Sequence, residues 1–202
     1  MEQKTLEWFQ ARCGLITASK IADLMATTKS GPSASRENYL VDLALQRLTG
    51  TPNDESFTNQ AIEDGVEREP LARQWYEAAT GNLVEEVGLI KHPTIERSGA
   101  SPDGLVGDLG LVEIKSPIKK NHFSTLKKSE IPAKYQLQMF WQMDCLGRKW
   151  NDFVSFNPEF PANLQGIIIR LEWDEKRINE IREAVIKFDS DVEEALSIMR
   201  AI

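Results

Sequence analysis

The spacing of the apolar residues changes four times along the chain, and these changes limit the folds that the sequence can adopt. Before about residue 80, apolar residues recur at helical intervals, as Tyr39, Leu43 and Leu48 do. Short apolar runs of strand type then follow, and a helical stretch separates them from two later strand-like runs. This order is typical of an α/β or α+β domain with a mixed central β-sheet flanked by helices. The predicted helices cover 4–12, 21–25, 39–50, 58–80 (with Pro70 at a kink or at a helix start), 133–147 and the chain from about Asp174 onward. The predicted strands cover 83–90, 95–106 (with a turn), 111–115, 153–156 and 166–171, and polar loops are predicted over 27–36 and 51–56.

The composition is that of a globular protein. A chain of 202 residues with 41% hydrophobic residues is long enough to bury a core, and we expect one domain over residues 1–202. No run of about 18 apolar residues occurs, so we expect no membrane span, and the charged N-terminus does not resemble a signal peptide. Cys13 and Cys145 do not form a CxxC pattern, which argues against a zinc site or a disulfide framework and favours a reducing cytoplasm.

The net charge of −7 argues against a non-specific nucleic-acid-binding protein, because such proteins usually have a basic surface. Net charge is a sum over the whole chain, however, and phosphate binding depends on local charge. Acidic residues that are gathered to hold a metal ion would themselves add to the negative total. The overall charge therefore leaves nucleic acid open as a partner.

The short strand Leu111–Lys115 has the most informative local pattern. Alternate side chains of a strand lie on the same face, so Glu113 and Lys115 are predicted to point one way and the apolar residues between them the other way. Asp103 lies upstream in an Asp-Gly turn, and a hairpin through residues 107–110 would bring it back beside Glu113. The sequence therefore predicts two carboxylates converging beside a lysine.

Two converging carboxylates are suited to a hard divalent cation such as Mg²⁺, which takes oxygen ligands from the protein, from water and from a substrate phosphate. With a lysine to orient a water molecule, such a site can hydrolyse a phosphodiester. The alternative is structural, because Asp-Gly turns are common and a Glu-x-Lys strand often presents only a solvated face. The spacing of these residues does not decide between the two.

Further motifs give the chain a family resemblance. Pro102-Asp103 followed by Glu113-Ile114-Lys115 resembles the PD-(D/E)xK nuclease motif. The chain as a whole is similar to the phage lambda exonuclease, or YqaJ-type, family of recombination nucleases. The matching segments lie in the family's order over residues 8–140. They are Trp8, Arg12-x-Gly14-x-x-Thr17-Ala18-Ser19, Gly65-x-x-x-Glu69-x-x-Ala72-Arg73, Ser101-Pro102-Asp103-Gly104-Leu105, Leu111-Val112-Glu113-Ile114-Lys115-Ser116-Pro117 and Gln136-x-Gln138.

The resemblance implies a restriction-endonuclease-like core and a metal-dependent active site. Asp103, Glu113 and Glu69 match the metal-binding carboxylates, the backbone carbonyl of Ile114 matches a further ligand, and Lys115 matches the catalytic lysine. The expected cofactor is Mg²⁺, with Mn²⁺ as the other candidate, at two ions per site.

The resemblance also leaves some helix residues as alternatives. Glu63 and Glu67 compete with Glu69 for the role of the helix carboxylate, although both suit a solvated helix surface. Gln136 matches a glutamine that faces the active site, and Gln138 is its alternative.

The resemblance places a pocket for a terminal 5′-phosphate at Arg12, Ser19 and Ser101. A guanidinium binds phosphate through two hydrogen bonds, and a hydroxyl at a helix N-terminus adds a donor. The alternatives are that Arg12 pairs with an acid, that Ser19 or Thr17 only caps a helix, and that Ser101 only starts a turn. Trp8 matches a DNA contact, where it would stack on a base, but it would serve equally as a hydrophobic anchor.

The function that the resemblance implies is 5′→3′ exonuclease digestion of one strand of linear double-stranded DNA. The product would be a 3′ single strand for a phage single-strand annealing protein, made in the cytoplasm of a bacterial host by a phage or prophage protein. The resemblance also implies a ring-shaped homotrimer. The alternatives are a structure-specific endonuclease on the same fold and a non-catalytic DNA-binding module.

Overall fold

The structure is a computed structural model that describes residues 3–29, 31–52 and 60–201, with side chains from residue 68 onward in the last range. The predicted loop over 51–56 and the first residues of the predicted helix 58–80 lie largely outside these ranges. The α-helices are α1 Leu6–Arg12, α2 Ile21–Leu24, α3 Ala34–Thr49, α4 Gln60–Thr80, α5 Lys119–Lys128, α6 Ala133–Leu146 and α7 Glu175–Arg200. The strands are β1 Ile16–Thr17, β2 Thr27–Thr28, β3 Gly31–Pro32, β4 Val84–Glu85, β5 Ile90–Lys91, β6 Ser98–Ala100, β7 Gly104–Val106, β8 Gly110–Lys115, β9 Trp150–Phe156 and β10 Gly166–Glu172. Within the described residues, no helix has the length and apolar character needed to cross a bilayer.

A five-stranded mixed sheet carries the fold, in the order β10-β9-β8-β7-β4. Strands β8 and β9 are parallel, and the other neighbours in this sheet are antiparallel. A smaller sheet has the order β1-β6-β5, and β2 pairs with β3 in a hairpin. The predicted mixed sheet flanked by helices is therefore confirmed.

The two faces of the large sheet pack against different helices, and strand β8 shows the division. Leu111 belongs to the main core, which also contains buried residues of α2, α3, α6 and α7. Val112 and Ile114 belong to a second cluster on the opposite face, together with Ala72 and Tyr76 of α4. The strand alternation therefore points Glu113 and Lys115 to one face and Val112 and Ile114 to the other, as the sequence predicted. The face of Glu113 is the one on which α6 packs.

Local signals account for several helix boundaries. The Asp174 side chain accepts a hydrogen bond from the Arg177 backbone N–H and caps α7, so the helix predicted from Asp174 is confirmed. Helix α3 is followed by Gly50 with φ +68°, a left-handed conformation that glycine adopts without a steric penalty. Pro70 lies inside α4 rather than at its start.

Some predicted boundaries were wrong. The predicted strand 83–90 is two short strands, because β4 pairs with β7 in the large sheet and β5 pairs with β6 in the small one. Neither Thr17 nor Ser19 caps a helix with its side chain, since Thr17 ends β1 and Ser19 lies in a 3₁₀ turn before α2. The predicted loop over 27–36 contains the β2–β3 hairpin and the start of α3.

Candidate active site

The β7–β8 hairpin brings Asp103 to the strand that carries Glu113. Gly104 pairs with Val112 across the hairpin, which places Asp103 at the open end of β7. Its Oδ2 accepts a hydrogen bond of 2.6 Å from the backbone N–H of Ile114. A Cβ on Gly104 would lie 2.1 Å from Cγ1 of Val84, so the residue after Asp103 has to be glycine for β4 to pack here. The predicted convergence of Asp103 and Glu113 is confirmed.

Glu113 is buried, and the described hydrogen bonds to its carboxylate come from side chains. Only 1% of the residue is exposed. Gln138 of α6 donates to Oε1 at 2.7 Å, and Gln142 of the same helix donates to Oε2 at 2.6 Å. The Lys115 ammonium forms an ion pair with Oε1. Helix α6 therefore fixes the orientation of this carboxylate, and Lys115 supplies its counter-charge.

The electrostatics reflect two carboxylates held close together. Burial and the negative charge of Glu113 raise the pKa of Asp103 to about 8, although Lys115 and the Ile114 N–H act in the opposite direction. Burial would lower the pKa of Lys115, but the charges of Glu113 and Asp103 outweigh it and the pKa is raised. The lysine is thus held in its charged form, and the carboxylate pair would be stabilised by further positive charge.

The donor set suits a hard divalent cation, because carboxylate oxygens and a backbone carbonyl are the ligands such ions take in proteins. Residues that would hold the ion are Asp103, Glu113 and the Ile114 carbonyl. Among the described residues, no group of three or more His, Cys, Asp or Glu side chains is close enough to bind an ion by protein ligands alone. A site with so few protein carboxylates resembles those in which Mg²⁺ keeps several waters and binds a substrate phosphate.

Glu69 lies close enough to this pair to act on it electrostatically. Its negative charge adds to the rise in the pKa of Asp103. Its own oxygens accept hydrogen bonds from Lys4 at 2.5 Å and from Arg73 at 3.3 Å. The metal-binding role of Glu69 stays a prediction, and the side chains of its alternatives, Glu63 and Glu67, lie outside those that the structure describes.

The two candidate glutamines of α6 have different contacts. Gln138 contacts Glu113, whereas Gln136 donates to the Ile131 carbonyl at 2.7 Å. Gln136 also lines a cavity of about 470 Å³ that contains Lys115, at the end of the parallel strands β8 and β9. Of the two, Gln138 is the one in contact with a predicted metal-binding carboxylate.

The sequence analysis missed Gln142. It lies four residues after Gln138 and so shares its helix face, and this spacing was the available signal. Its Oε1 accepts a hydrogen bond of 2.9 Å from Asn151 on β9, which fixes the amide with its N–H toward Glu113. Both residues are fully buried.

The four residues predicted for the end of a DNA strand are brought together. Arg12 donates to the Ser101 hydroxyl at 3.4 Å and to the Ser19 hydroxyl at 3.5 Å. The Trp8 indole N–H donates to Ser101 at 3.1 Å. Ser101 is two residues from Asp103, so this group adjoins the carboxylate pair along the chain. Arg12, Ser19 and Trp8 line a cavity of about 180 Å³.

Arg12 has the character of an anion-binding group. Burial lowers the pKa of its guanidinium to about 10, with only a partial offset from Tyr39. It forms no ion pair with any carboxylate in the described part of the chain. The geometry therefore does not favour the alternative in which Arg12 pairs with an acidic residue. A partly buried cation whose neighbours are hydroxyl groups is suited to bind phosphate.

Trp8 is better suited to the anchor role than to base stacking. It is only 8% exposed. The Arg12 guanidinium lies 4.1 Å from its ring centroid, and Phe9 packs edge-on against it. A base that stacked on Trp8 would need an open face of the ring. The Trp8 ring instead packs against the Arg12 guanidinium, and its indole N–H orients Ser101.

Comparison with known proteins decides the family. The family model described as "YqaJ-like viral recombinase domain" matches residues 7–149. The chain belongs to this family. The resemblance seen in the motifs is therefore confirmed for most of the chain. A comparison with curated proteins gave no match.

Solved structures extend the likeness of this YqaJ-like chain over nearly its whole length. It is 46% identical to an alkaline exonuclease (LHK-Exo) from Laribacter hongkongensis, with a TM-score of 0.90 over 98% of this chain and 97% of that one. The same enzyme in complex with dAMP gives a TM-score of 0.91 at the same identity and coverage. A phage-related exonuclease from Haemophilus somnus 129PT shares only 12% identity but has a TM-score of 0.72, over 92% of this chain and 96% of that one, which shows a common fold.

Proposed function

We propose that the protein is a divalent-metal-dependent exonuclease that degrades one strand of linear double-stranded DNA from its 5′ end, with residues 1–202 acting as one domain. The observation that carries the proposal is the carboxylate pair Asp103 and Glu113 with Lys115 beside it, on the β7–β8 hairpin. The likeness to an alkaline exonuclease at 46% identity supports the same activity.

The residues of the chain have distinct roles in this proposal. Asp103, Glu113, the Ile114 carbonyl and Glu69 hold Mg²⁺, in one or two ions, with Mn²⁺ as a substitute. When bound, the metal polarises the phosphodiester and stabilises the negative charge that develops on the leaving oxygen. Lys115 orients the attacking water and, being kept protonated by its neighbours, adds positive charge beside the scissile phosphate.

Helix α6 supplies the positioning of this site. Gln138 and Gln142 hold Glu113 by one amide N–H on each oxygen, which leaves the carboxylate a single orientation. Gln136 faces the neighbouring cavity, where it contacts substrate beside Lys115.

Arg12, Ser19 and Ser101 give the reaction its direction. They bind the terminal 5′-phosphate, and each cleavage exposes a new 5′-phosphate that the same group can bind. Chain-end selection of this kind leaves a 3′ single strand, which a phage annealing protein would take up. We further propose that the protein is a homotrimer that encloses the DNA, since a ring remains on its substrate without depending on affinity.

The test is the digestion of linear duplex DNA with 5′-phosphate ends, with and without Mg²⁺, beside a covalently closed duplex circle. We expect mononucleotides to be released from the linear DNA in Mg²⁺ and the circle to survive. Asp103→Asn and Glu113→Gln should remove the activity. Asp103→Asn should also leave the thermal unfolding in EDTA close to that of the wild type or higher, because it relieves the repulsion that raises the pKa of Asp103.

Other outcomes identify the alternatives. Cleavage of the closed circle would indicate an endonuclease. Binding of DNA without any release of nucleotides, in Mg²⁺ and in Mn²⁺, would indicate a non-catalytic module. Full activity of Asp103→Asn would show that the carboxylate pair is not the catalytic site.

A further inference from the structure

A short basic segment stands out from an acidic chain. Residues 115–134 contain six lysines and one glutamate, a net charge of +5 in a protein whose total is −7. Half of this segment is helix α5, which has four lysines and no acidic residue. The segment begins at the catalytic Lys115 candidate and forms much of the wall of the cavity of about 470 Å³ beside it.

The face of α5 that points away from the core carries an aromatic side chain. Phe123 is 61% exposed, and it is the one aromatic residue among the large hydrophobic side chains that are exposed in the described ranges. His122 and Thr125 on the opposite face are buried. Because the helix is anchored by these two residues, the exposure of Phe123 is a fixed feature of the surface.

Helix geometry places Phe123 and two lysines in one track. Successive residues of a helix are rotated by about 100°, so Lys120 and Lys127 lie on the arc between Phe123 and the residues that line the cavity. Both lysines are exposed, and neither forms an ion pair with a residue that the structure describes. Lys119, at the far side of Phe123, is paired with Glu159 at 2.6 Å and is left out of the track.

We propose that this α5 track (Lys120, Phe123 and Lys127) binds unpaired single-stranded DNA next to the active site. Lysines contact phosphates of any DNA, but a base can stack on Phe123 only where it is not paired. The combination of a basic groove with an exposed aromatic ring is the one that single-strand-binding surfaces use. The proposal rests on the proposed exonuclease function, which produces such a strand at this place.

The test measures binding in EDTA, where hydrolysis does not occur. The probe is a 3′-fluorescein oligothymidylate of about 20 nucleotides, longer than the roughly 4–16 nucleotides that one single-strand module covers. It carries a 5′-hydroxyl, so that the Arg12 group contributes little. We expect Phe123→Ala to weaken its binding about tenfold, since stacking of a base contributes about 1–3 kcal/mol and 1.4 kcal/mol is tenfold.

Three variants sharpen the comparison. Phe123→Trp should retain the affinity, because its ring also stacks. The double variant Lys120→Gln/Lys127→Gln should reduce the slope of log affinity against log salt by about 1.4, or about 0.7 for each phosphate contact to a single strand. Ile198→Ala, at 63% exposure on α7, is the matched control and should bind as the wild type does.

A blunt linear duplex with 5′-hydroxyl ends, which can enter a ring, separates stacking from general phosphate binding. Phe123→Ala should leave the affinity for this duplex unchanged, whereas the double lysine variant should lower it. Equal losses on both DNAs, or an unchanged affinity for the oligothymidylate, would overturn the proposal. A change of oligomeric mass in Phe123→Ala with unchanged DNA binding would also overturn it and would assign this face to contact between copies of the chain.

The outcome is independent of the nuclease assay. If the wild type digests linear DNA but Phe123→Ala binds the oligothymidylate normally, the surface proposal fails alone. If no hydrolysis is seen and Phe123→Ala still loses single-strand binding, the exonuclease proposal fails and the surface stands.

Discussion

At the scale of single residues, the site is governed by how charges are compensated. Glu113 is surrounded by donors and Asp103 has the Ile114 N–H, while the positive charge of Lys115 acts on both. Arg12 is the reverse case, a partly buried cation next to hydroxyl groups. A phosphate end and its scissile bond would therefore meet a positive group at one position and a carboxylate pair at the other.

Replacing Lys115 by Ala should lower the single-turnover rate of hydrolysis by roughly 10²–10³, the range found when one electrostatic stabiliser of the transition state is removed. Binding of the DNA end should persist, because the Arg12 group is unchanged. Lys115→Arg should recover only part of the rate, since a planar guanidinium does not replace a compact ammonium. A full recovery with Arg would show that only the positive charge matters.

Replacing Arg12 by Ala should slow digestion of 5′-phosphorylated DNA about tenfold to a hundredfold, because a charge-assisted hydrogen bond contributes roughly 1.5–3 kcal/mol. The decisive measurement is the ratio of initial rates on 5′-phosphate and 5′-hydroxyl ends at fixed salt. This ratio should fall toward one in the variant.

The control for this prediction is Lys20→Ala. Lys20 lines the same small cavity, but it is exposed and pairs with Asp23. The ratio of initial rates on 5′-phosphate and 5′-hydroxyl ends should be the same for Lys20→Ala as for the wild type. An unchanged ratio in Arg12→Ala would mean that Arg12 is a structural residue.

At the scale of elements, the β8 strand is held in place by close packing at its two ends. The pairing of β8 with β7 holds the strand beside Asp103. Gly110, the first residue of β8, packs against the Trp150 ring. A Cβ at Gly110 would lie 2.1 Å from the Trp150 ring, and Arg170 stacks on this ring at 3.7 Å. Only glycine at position 110 therefore allows the backbone to lie this close to the Trp150 ring.

Gly110→Ala should destabilise the protein by about 1–3 kcal/mol, the usual cost of overpacking. Urea unfolding of the wild type and the variant measures this difference. In the double variant Gly110→Ala/Trp150→Leu the cost of the alanine should shrink, because the ring that it meets is gone. Equal costs in both backgrounds would show that the ring contact is not the cause.

At the scale of the whole molecule, a buried charged cluster joins three parts of the fold. Asp144 of α6 accepts hydrogen bonds from His92 after β5, at 3.0 Å, and from Arg182 of α7, at 2.5 and 2.8 Å. Burial alone would raise the pKa of Asp144, but these hydrogen bonds outweigh it and the pKa lies below the ordinary value of 3.8. The negative charge of Asp144 thus stabilises the folded state.

Asp144→Asn should lower the free energy of unfolding by about 3 kcal/mol at pH 7, as expected when one partner of a buried pair is removed. A group with a depressed folded-state pKa stabilises the fold fully above its unfolded pKa and loses this effect as the pH falls through the folded value. The difference between wild type and variant should therefore shrink below about pH 3.8. Urea unfolding at a series of pH values measures it.

The control for the cluster is Glu180→Gln, which breaks an exposed pair with Arg177. It should change stability by no more than about 1 kcal/mol at any pH. A pH-independent difference for Asp144→Asn would mean that the lost stability comes from packing rather than from charge.

The sequence alone determined the features that depend on neighbouring residues. The alternation in Leu111–Lys115 set which side chains share a face, and the glycines near residue 107 set the hairpin that returns Asp103 to Glu113. The order of helical and strand periods predicted the mixed sheet. These features follow from backbone geometry over a few residues, which local composition controls.

Only the tertiary structure decided the contacts between distant parts of the chain. It selected Gln138 and Gln142 as the partners of Glu113, because the packing of α6 on β8 sets which helix face meets the carboxylate. It buried Trp8 beneath Arg12 and divided residues 83–90 between two sheets. The contacts of Gln138 with Glu113 and of Trp8 with Ser101 join residues that are 25 and 93 positions apart, and no local pattern in the sequence contains that information.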